Sequence, residues 1–126
     1  MKAVKLHTLP AAEEIPLQPA SYDIWDKKYR LKTKTGEAVD QDIQGTYERV
    51  AKALAEVETS PEKQEEWYGR FLWALQNGAI PAGRVTSNAG AHEHKPATST
   101  INCTVSGTVP DSMDGILKSV HEAGLT

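Results

Sequence analysis

The sequence has one cysteine, one phenylalanine and no long hydrophobic run. Cys103 is alone among 126 residues, so no internal disulfide can form and a cytoplasmic protein is expected. No apolar run approaches the roughly 18 residues of a membrane span, and the start carries no secretory signal. The net charge of -3 argues against a basic face for nucleic acid. Neither a membrane nor a nucleic-acid partner is therefore expected.

An amphipathic helix is predicted over about residues 41–57. Its apolar residues recur at steps of three and four, which places them on one face. Asp40 or Asp42 is the candidate N-cap, because a short side-chain oxygen accepts a hydrogen bond from a free first-turn amide. The apolar face is expected to be core, since it carries no pair of carboxylates or histidines.

A second helix is predicted to follow after a short turn. Ser60 followed by Pro61 is a typical helix start, and Gly78 supplies the left-handed residue that ends a helix. The two helices would form a helical hairpin. With the prolines near the start of the chain, this predicts an extended arm over residues 1–22 and a helical N-terminal domain over residues 23–79.

The helical period disappears between residues 79 and 110, where glycines and prolines recur. An irregular stretch of that length is uncommon in a compact domain unless it is functional. Residues 98–105 are rich in Thr, Ile and Val, which predicts a strand. A helix should follow over residues 111–124, with Asp111 as its N-cap and Asp114 at the third capping-box position. A strand and helix without later partners indicate the opening of a larger fold.

Two histidines flank a glutamate at His92-Glu93-His94. Their spacing of two residues on a loop, without a further Cys or His pattern, does not match a metal site. No metal site is predicted.

Five motifs in order resemble the ribonucleotide reductases, and the closest match is the adenosylcobalamin-dependent (class II) type. The motifs are Ile24–Tyr29, Thr46–Ala55, Ile80–Arg84, Asn102-Cys103 and Asp111–Ile116. The resemblance implies a mainly α N-terminal region, a helical hairpin, that leads into the first strand and helix of a ten-stranded α/β barrel. Residues 80–126 would be the incomplete start of that barrel domain. The chain would be a fragment of a larger fold, and it would be inactive alone.

The resemblance also implies which residues carry the chemistry. Cys103 would be catalytic, as one of two thiols that reduce the ribose and become a disulfide during turnover. Pro81, Ala82, Gly83, Asn102 and Cys103 would bind the ribonucleotide substrate. A thiol reacts through its thiolate, which a polar cleft favours over a dry core.

Further expectations from the resemblance concern an effector, a cofactor and partners. Asp111, Ser112 and Met113 would bind a deoxynucleotide triphosphate that tunes substrate choice. The cofactor would be adenosylcobalamin, held by residues outside this chain. The remaining barrel and a reductant of thioredoxin or glutaredoxin type would be partners. The resemblance leaves a homodimer open, and it does not distinguish diphosphate from triphosphate substrates.

Each of these assignments has a plainer structural alternative. A lone cysteine is often a small buried hydrophobe, and a Pro-Ala-Gly sequence after a helix is often an ordinary turn. Asp111 and Ser112 could serve only as a helix cap. The whole chain could then be a standalone helical protein-interaction module with a structural cysteine.

Overall fold

The computed structural model describes residues 15–95 and 98–125, and its regular elements are helical. The α-helices are α1 (Pro19–Ile24), α2 (Ile43–Ala55), α3 (Pro61–Gln76), α4 (Gly83–Asn88) and α5 (Met113–Leu125). A π-helical turn, Trp25–Tyr29, continues α1. An isolated antiparallel bridge joins Lys32 to Ala38. No described helix is long and apolar enough to cross a membrane.

Helix α2 forms where the apolar period predicts it, with a start two residues later and an end two residues earlier. Asp42 is its N-cap, because its side chain accepts a hydrogen bond from the Gly45 amide at 2.8 Å. Asp40, the other candidate cap, is buried and serves a different purpose. Val50 and Ala51 lie on the inner face and are fully buried.

Helix α3 confirms the predicted start and stop signals. Ser60 accepts a hydrogen bond from the Lys63 amide at 3.3 Å, and Pro61 is the first helical residue. Gly78 follows the helix with a φ of 92°, a conformation that costs a side-chain-bearing residue energy.

The predicted hairpin of α2 and α3 is confirmed and forms the centre of the core. Val50 and Ala51 of α2 pack with Leu75 of α3 and with Ala89, which follows α4. Partly buried side chains surround them: Tyr47, Ala53, Leu54, Tyr68, Phe71, Leu72 and Val85. Because α4 closes one side of the hairpin, the core is built from three helices.

The predicted strand over residues 98–105 is absent from the described residues, and with it the expected first strand of a barrel. Residues 98–110 have no helix or strand and are exposed throughout. The physical reason is that a strand needs a neighbour to pair its backbone amides and carbonyls. The described residues contain no second strand beside residues 98–105, so their propensity for extended structure does not lead to a strand.

Helix α5 forms close to its predicted position, with a different cap. The Ser112 hydroxyl accepts a hydrogen bond from the Gly115 amide at 3.1 Å. Ser112 therefore takes the capping position that was predicted for Asp111. The apolar side chains of α5, including Met113, Leu117 and Val120, are largely exposed.

Two short helices lie where irregular or extended structure was predicted. Helix α1 begins at Pro19, inside the predicted arm of residues 1–22, of which residues 1–14 lie outside the described residues. Helix α4 occupies Gly83–Asn88, inside the predicted irregular stretch. Both are too short to be stable on propensity alone, so contacts with the rest of the fold must hold them.

Candidate functional site

A buried ion pair joins helix α2 to the loop of residues 30–42, which follows the π-helical turn. The Asp40 carboxylate is 3% exposed. Its Oδ2 accepts hydrogen bonds from the Thr46 hydroxyl at 2.7 Å and the Leu31 amide at 3.0 Å. Arg49 completes the set with Nε on Oδ1 at 3.0 Å and Nη2 on Oδ2 at 2.8 Å. The pair is bidentate, which is the strongest geometry for such a contact.

The surroundings of Asp40 keep it ionised at neutral pH. Burial raises the pKa of this carboxyl, but the hydrogen bonds from Arg49, Thr46 and the Leu31 amide outweigh burial. The pKa consequently lies below its ordinary value of 3.8. A carboxylate that accepts several hydrogen bonds behaves in this way because each bond favours the charged form.

The same guanidinium of Arg49 also holds the end of helix α4. Nη1 donates to the Ala89 carbonyl at 2.6 Å, and Nη2 donates to the Thr86 carbonyl at 3.0 Å. Carbonyls in the last turn of a helix lack partners within the helix, and a cation there also interacts favourably with the negative end of the helix dipole. Arg49 therefore fixes a helix of six residues that could not persist alone.

Trp25 attaches the π-helical turn to the cluster formed by Asp40, Thr46 and Arg49. The Trp25 indole donates to the Thr46 hydroxyl at 2.9 Å. The Arg30 guanidinium lies 5.2 Å from the centroid of the Trp25 ring and donates to the Asp40 and Gln41 carbonyls. The cluster thus connects the turn, α2 and α4.

A mostly apolar pocket of about 390 Å³ lies beside this cluster and includes part of the predicted substrate loop. Pro81 and Gly83 line it together with Trp25, Tyr29 and Tyr47. A Cβ atom at Gly83 would stand 3.3 Å from the Tyr29 ring, so glycine allows the loop to approach this aromatic wall. Ala82, the remaining predicted loop residue, is exposed.

The predicted redox cysteine lies on the exposed segment between α4 and α5. Both Asn102 and Cys103 face solvent, and the Cys103 thiol is free. The segment is tied to α4 through the Asn88 side-chain amide, which donates to the Ser99 carbonyl at 2.9 Å. The alternative of a buried structural cysteine does not describe this structure.

The three predicted effector residues lie at the start of α5. Asp111, Ser112 and Met113 are all exposed, and the Ser112 hydroxyl is engaged as the helix cap. Gly115 is buried, and a Cβ atom there would stand 2.6 Å from the Pro110 ring. That close approach leaves no room for a side chain at position 115 where the chain enters α5.

His92 and His94 line an open cleft of about 1010 Å³ along α2. Within residues 15–95 and 98–125, no group of three His, Cys, Asp or Glu side chains could hold a metal ion.

The sequence reasoning missed the pair of Asp40 and Arg49. One signal was present: Arg49 precedes the buried residues Val50 and Ala51 in α2, and a charge at the edge of an apolar face needs a partner. Which residue becomes that partner depends on how the loop of residues 30–42 folds back onto α2.

We predict that Gly90→Ala destabilises the fold more than Gly36→Ala. Both glycines have positive φ, 70° and 90°, so both variants carry left-handed strain of about 1–2 kcal/mol. Only at Gly90 would the new Cβ meet another group, the Arg49 Cγ at 3.0 Å. Overpacking should lower the free energy of unfolding by about a further 1–3 kcal/mol.

Urea unfolding of the two variants measures this difference directly. Gly36 has nothing within 4 Å of an added Cβ and is therefore the matched control. Equal losses in the two variants would contradict a tight contact between Gly90 and Arg49.

Residues 16–94 match the family model described as ribonucleotide reductase, all-alpha domain. The match covers more than half of the chain and includes the π-helical turn, α2, α3 and α4. The chain belongs to the ribonucleotide reductase all-alpha domain family. No curated protein and no solved structure gave a match.

The family assignment gives the hairpin and the buried pair their context. In this reductase domain, the Asp40–Arg49 pair and all the residues that line the apolar pocket except Ile15 lie within the matched residues. Cys103 and the three predicted effector residues follow the end of the match at residue 94. The barrel into which such a domain would lead does not form in the described residues.

Proposed function

We propose that this chain is the N-terminal portion of an adenosylcobalamin-dependent ribonucleotide reductase, which converts ribonucleotides to deoxyribonucleotides by radical chemistry. The match of residues 16–94 to the reductase all-alpha domain carries the proposal. Reductase-like motifs continue in family order beyond it, at Asn102-Cys103 and Asp111-Ser112-Met113. The choice of the cobalamin-dependent type rests on the resemblance of these motifs and of Ile80–Arg84.

Cys103 is proposed to supply one of the two thiols that reduce the substrate. It and a second cysteine elsewhere in the reductase give up two protons and two electrons and become joined as a disulfide. The ribose takes up both protons and both electrons, and its 2′-hydroxyl leaves as water. A dithiol protein of thioredoxin or glutaredoxin type then reduces the disulfide by thiol exchange. The exposed position of the thiol supports access by that reductant.

The substrate loop is proposed to hold the nucleotide mainly through its backbone. The small side chains of Ala82 and Gly83 let their peptide amides approach phosphate or ribose oxygens closely, while Pro81, which has no amide hydrogen, contributes to the shape of the loop. Asn102 would add a side-chain amide beside the thiol. The position of Pro81 and Gly83 on a pocket wall supports a binding role over that of an ordinary turn.

The start of α5 is proposed to contact a deoxynucleotide triphosphate effector. Free amides in the first turn and the positive helix end favour phosphate oxygens. Asp111 would repel phosphate, so it is assigned to a sugar hydroxyl, while Ser112 and Met113 line the same turn. The exposure of all three residues supports access to a ligand.

Adenosylcobalamin is proposed to bind outside this chain. The apolar pocket of about 390 Å³ lies near the lower end of the range for drug-sized ligands, and the cofactor is far larger. The cleft that His92 and His94 line is open to solvent. The small volume of the pocket supports placing the cofactor on the remaining barrel. A free thiol also suits the reducing cytoplasm.

Reconstitution tests the proposal. We expect no reductase activity from this chain alone, and deoxyribonucleotide formation when the remaining barrel, adenosylcobalamin and a dithiol reductant are supplied together. The matched control replaces adenosylcobalamin with a cobalamin that lacks the adenosyl group, which should stop the reaction.

The outcomes separate the competing functions. Activity that persists with the control cobalamin would reject the cofactor assignment. A folded mixture with no activity and no affinity for deoxynucleotides would reject the reductase function and favour a helical interaction module.

A further inference from the structure

Hydrogen bonds to both its oxygen and its nitrogen orient the side chain of Asn88 at the end of α4. Its Oδ1 accepts from the Ser87 hydroxyl at 3.1 Å and from the Lys95 ammonium at 3.4 Å. Lys95 also donates to the Ser87 carbonyl at 2.9 Å. With Oδ1 occupied by two donors, the Nδ2 group is directed at the Ser99 carbonyl, since an amide side chain can donate only from its nitrogen.

Two sets of hydrogen bonds meet at the end of α4, and the backbone of residues 86–89 joins them: one set leads to a buried carboxylate and the other to the segment of residues 98–110. Asp40 accepts from Arg49, Arg49 donates to the Thr86 and Ala89 carbonyls that flank the end of α4, and Asn88 donates onward to Ser99. The Asp40 and Arg49 side chains are 3% and 9% exposed. The outer end of this series is therefore attached to a rigid, buried base.

We propose that Asp40 and Arg49 are positioning residues that, through α4 and Asn88, anchor the segment that carries Cys103. Ser99 precedes the cysteine by four residues, which span at most about 14 Å when fully extended. The anchor thus keeps an exposed thiol within that distance of the end of α4. The catalytic meaning of this anchor rests on the proposed function, whereas the anchor itself is a property of the chain.

A spin label on Cys103 tests the anchor, because the chain has no other cysteine. We expect the label to broaden the backbone amide signals of residues 86–91 in the unchanged sequence. Asn88→Ala removes the hydrogen bond to Ser99 and also the contacts of Oδ1 with Ser87 and Lys95. Loss of the one hydrogen bond to the segment should lower the ratio of anchored to released segment by roughly two- to tenfold. The broadening at residues 86–91 should fall accordingly.

Arg49→Lys tests the inner part of the series. Lysine keeps the positive charge, but its three N–H donors cannot replace the four hydrogen bonds that the planar guanidinium of Arg49 makes. We expect reduced broadening, as in Asn88→Ala. Arg70→Lys is the matched control, because Arg70 pairs with Glu66 within α3, away from this series, and should leave the broadening unchanged.

Several outcomes would overturn the proposal. Unchanged broadening in a folded Asn88→Ala chain would show that Ser99 is not anchored by α4. If Arg49→Lys fails to fold, Asn88→Ala alone decides. Equal effects of Arg49→Lys and Arg70→Lys would show a general loosening instead of a specific anchor.

The anchor and the reductase function fail in different measurements. Loss of broadening needs no catalysis, so it reports the anchor alone. If Asn88→Ala releases the label but Cys103→Ser leaves turnover of the reconstituted enzyme unchanged, the anchor stands and the redox function falls. The opposite pair of results would retain the redox cysteine and reject its positioning by Asp40 and Arg49.

Discussion

Cys103→Ser is expected to reduce multiple turnover of the reconstituted reductase to background when a dithiol is the reductant. Serine has nearly the same size, but it cannot be oxidised to a disulfide, so the reducing equivalents for the ribose have no route through this position. Because Cys103 is exposed and free, the substitution should leave the fold intact. The measurement is deoxyribonucleotide formed per enzyme over many cycles.

A neighbouring substitution supplies the control for this experiment. Thr104→Ser changes an equally exposed residue of the same segment without touching a thiol, and it should retain activity. Titration with a thiol reagent should detect one thiol per chain in the control and none in Cys103→Ser. Turnover of Cys103→Ser at the control rate would reject the redox role of this cysteine.

Asp40→Asn is expected to lower the free energy of unfolding by about 3–5 kcal/mol, because it leaves the buried Arg49 guanidinium without its charge partner. The amide also presents an NH₂ group towards donors that now contact carboxylate oxygens. Domains are stable by only about 5–15 kcal/mol, so this loss is a large share of the total. Urea unfolding at neutral pH measures it.

Glu66→Gln makes the same chemical change in an exposed ion pair and is the matched control. Glu66 and Arg70 are 35% and 39% exposed, and such surface pairs contribute about 0–1 kcal/mol. Similar losses in Asp40→Asn and Glu66→Gln would contradict the central role of the buried pair.

The pH dependence of stability supplies a second check on the same residue. The pKa of Asp40 is lowered in the folded protein, so the stability it contributes is complete above the unfolded value near 3.8 and is lost as pH falls through the folded value. The unchanged sequence should therefore lose this share of its stability below about pH 4. Asp40→Asn should lack that part of the acid dependence.

The arrangement of the domain suggests why a buried charge pair is retained in a modest core. An apolar pair of similar size could hold the loop of residues 30–42 against α2 equally well. It could not, however, bind the carbonyls of Thr86 and Ala89 at the end of α4. Arg49 does both, because a guanidinium offers five donors in a fixed plane. The pair thus gives a short helix next to the proposed substrate loop a defined position.

Much of the helical part of the fold could be predicted because its signals are local. The start of α3 follows from Ser60 and Pro61, its end from Gly78, and the start of α2 from Asp42. In each case the residue either caps a free backbone amide or ends the helix, and it acts within a few positions of itself. The apolar period then determines which faces of α2 and α3 meet.

The sequence by itself determined the hairpin and the family resemblance, since caps, periods and motifs act over short distances along the chain. Only the tertiary structure decided that Asp40 is a buried partner of Arg49 and not a cap, that α4 forms, and that residues 98–105 remain without a strand. Each of these outcomes depends on a partner distant in sequence, or on its absence from the described residues. Helix and strand propensity cannot supply that information, because neither records which backbone groups will find a neighbour.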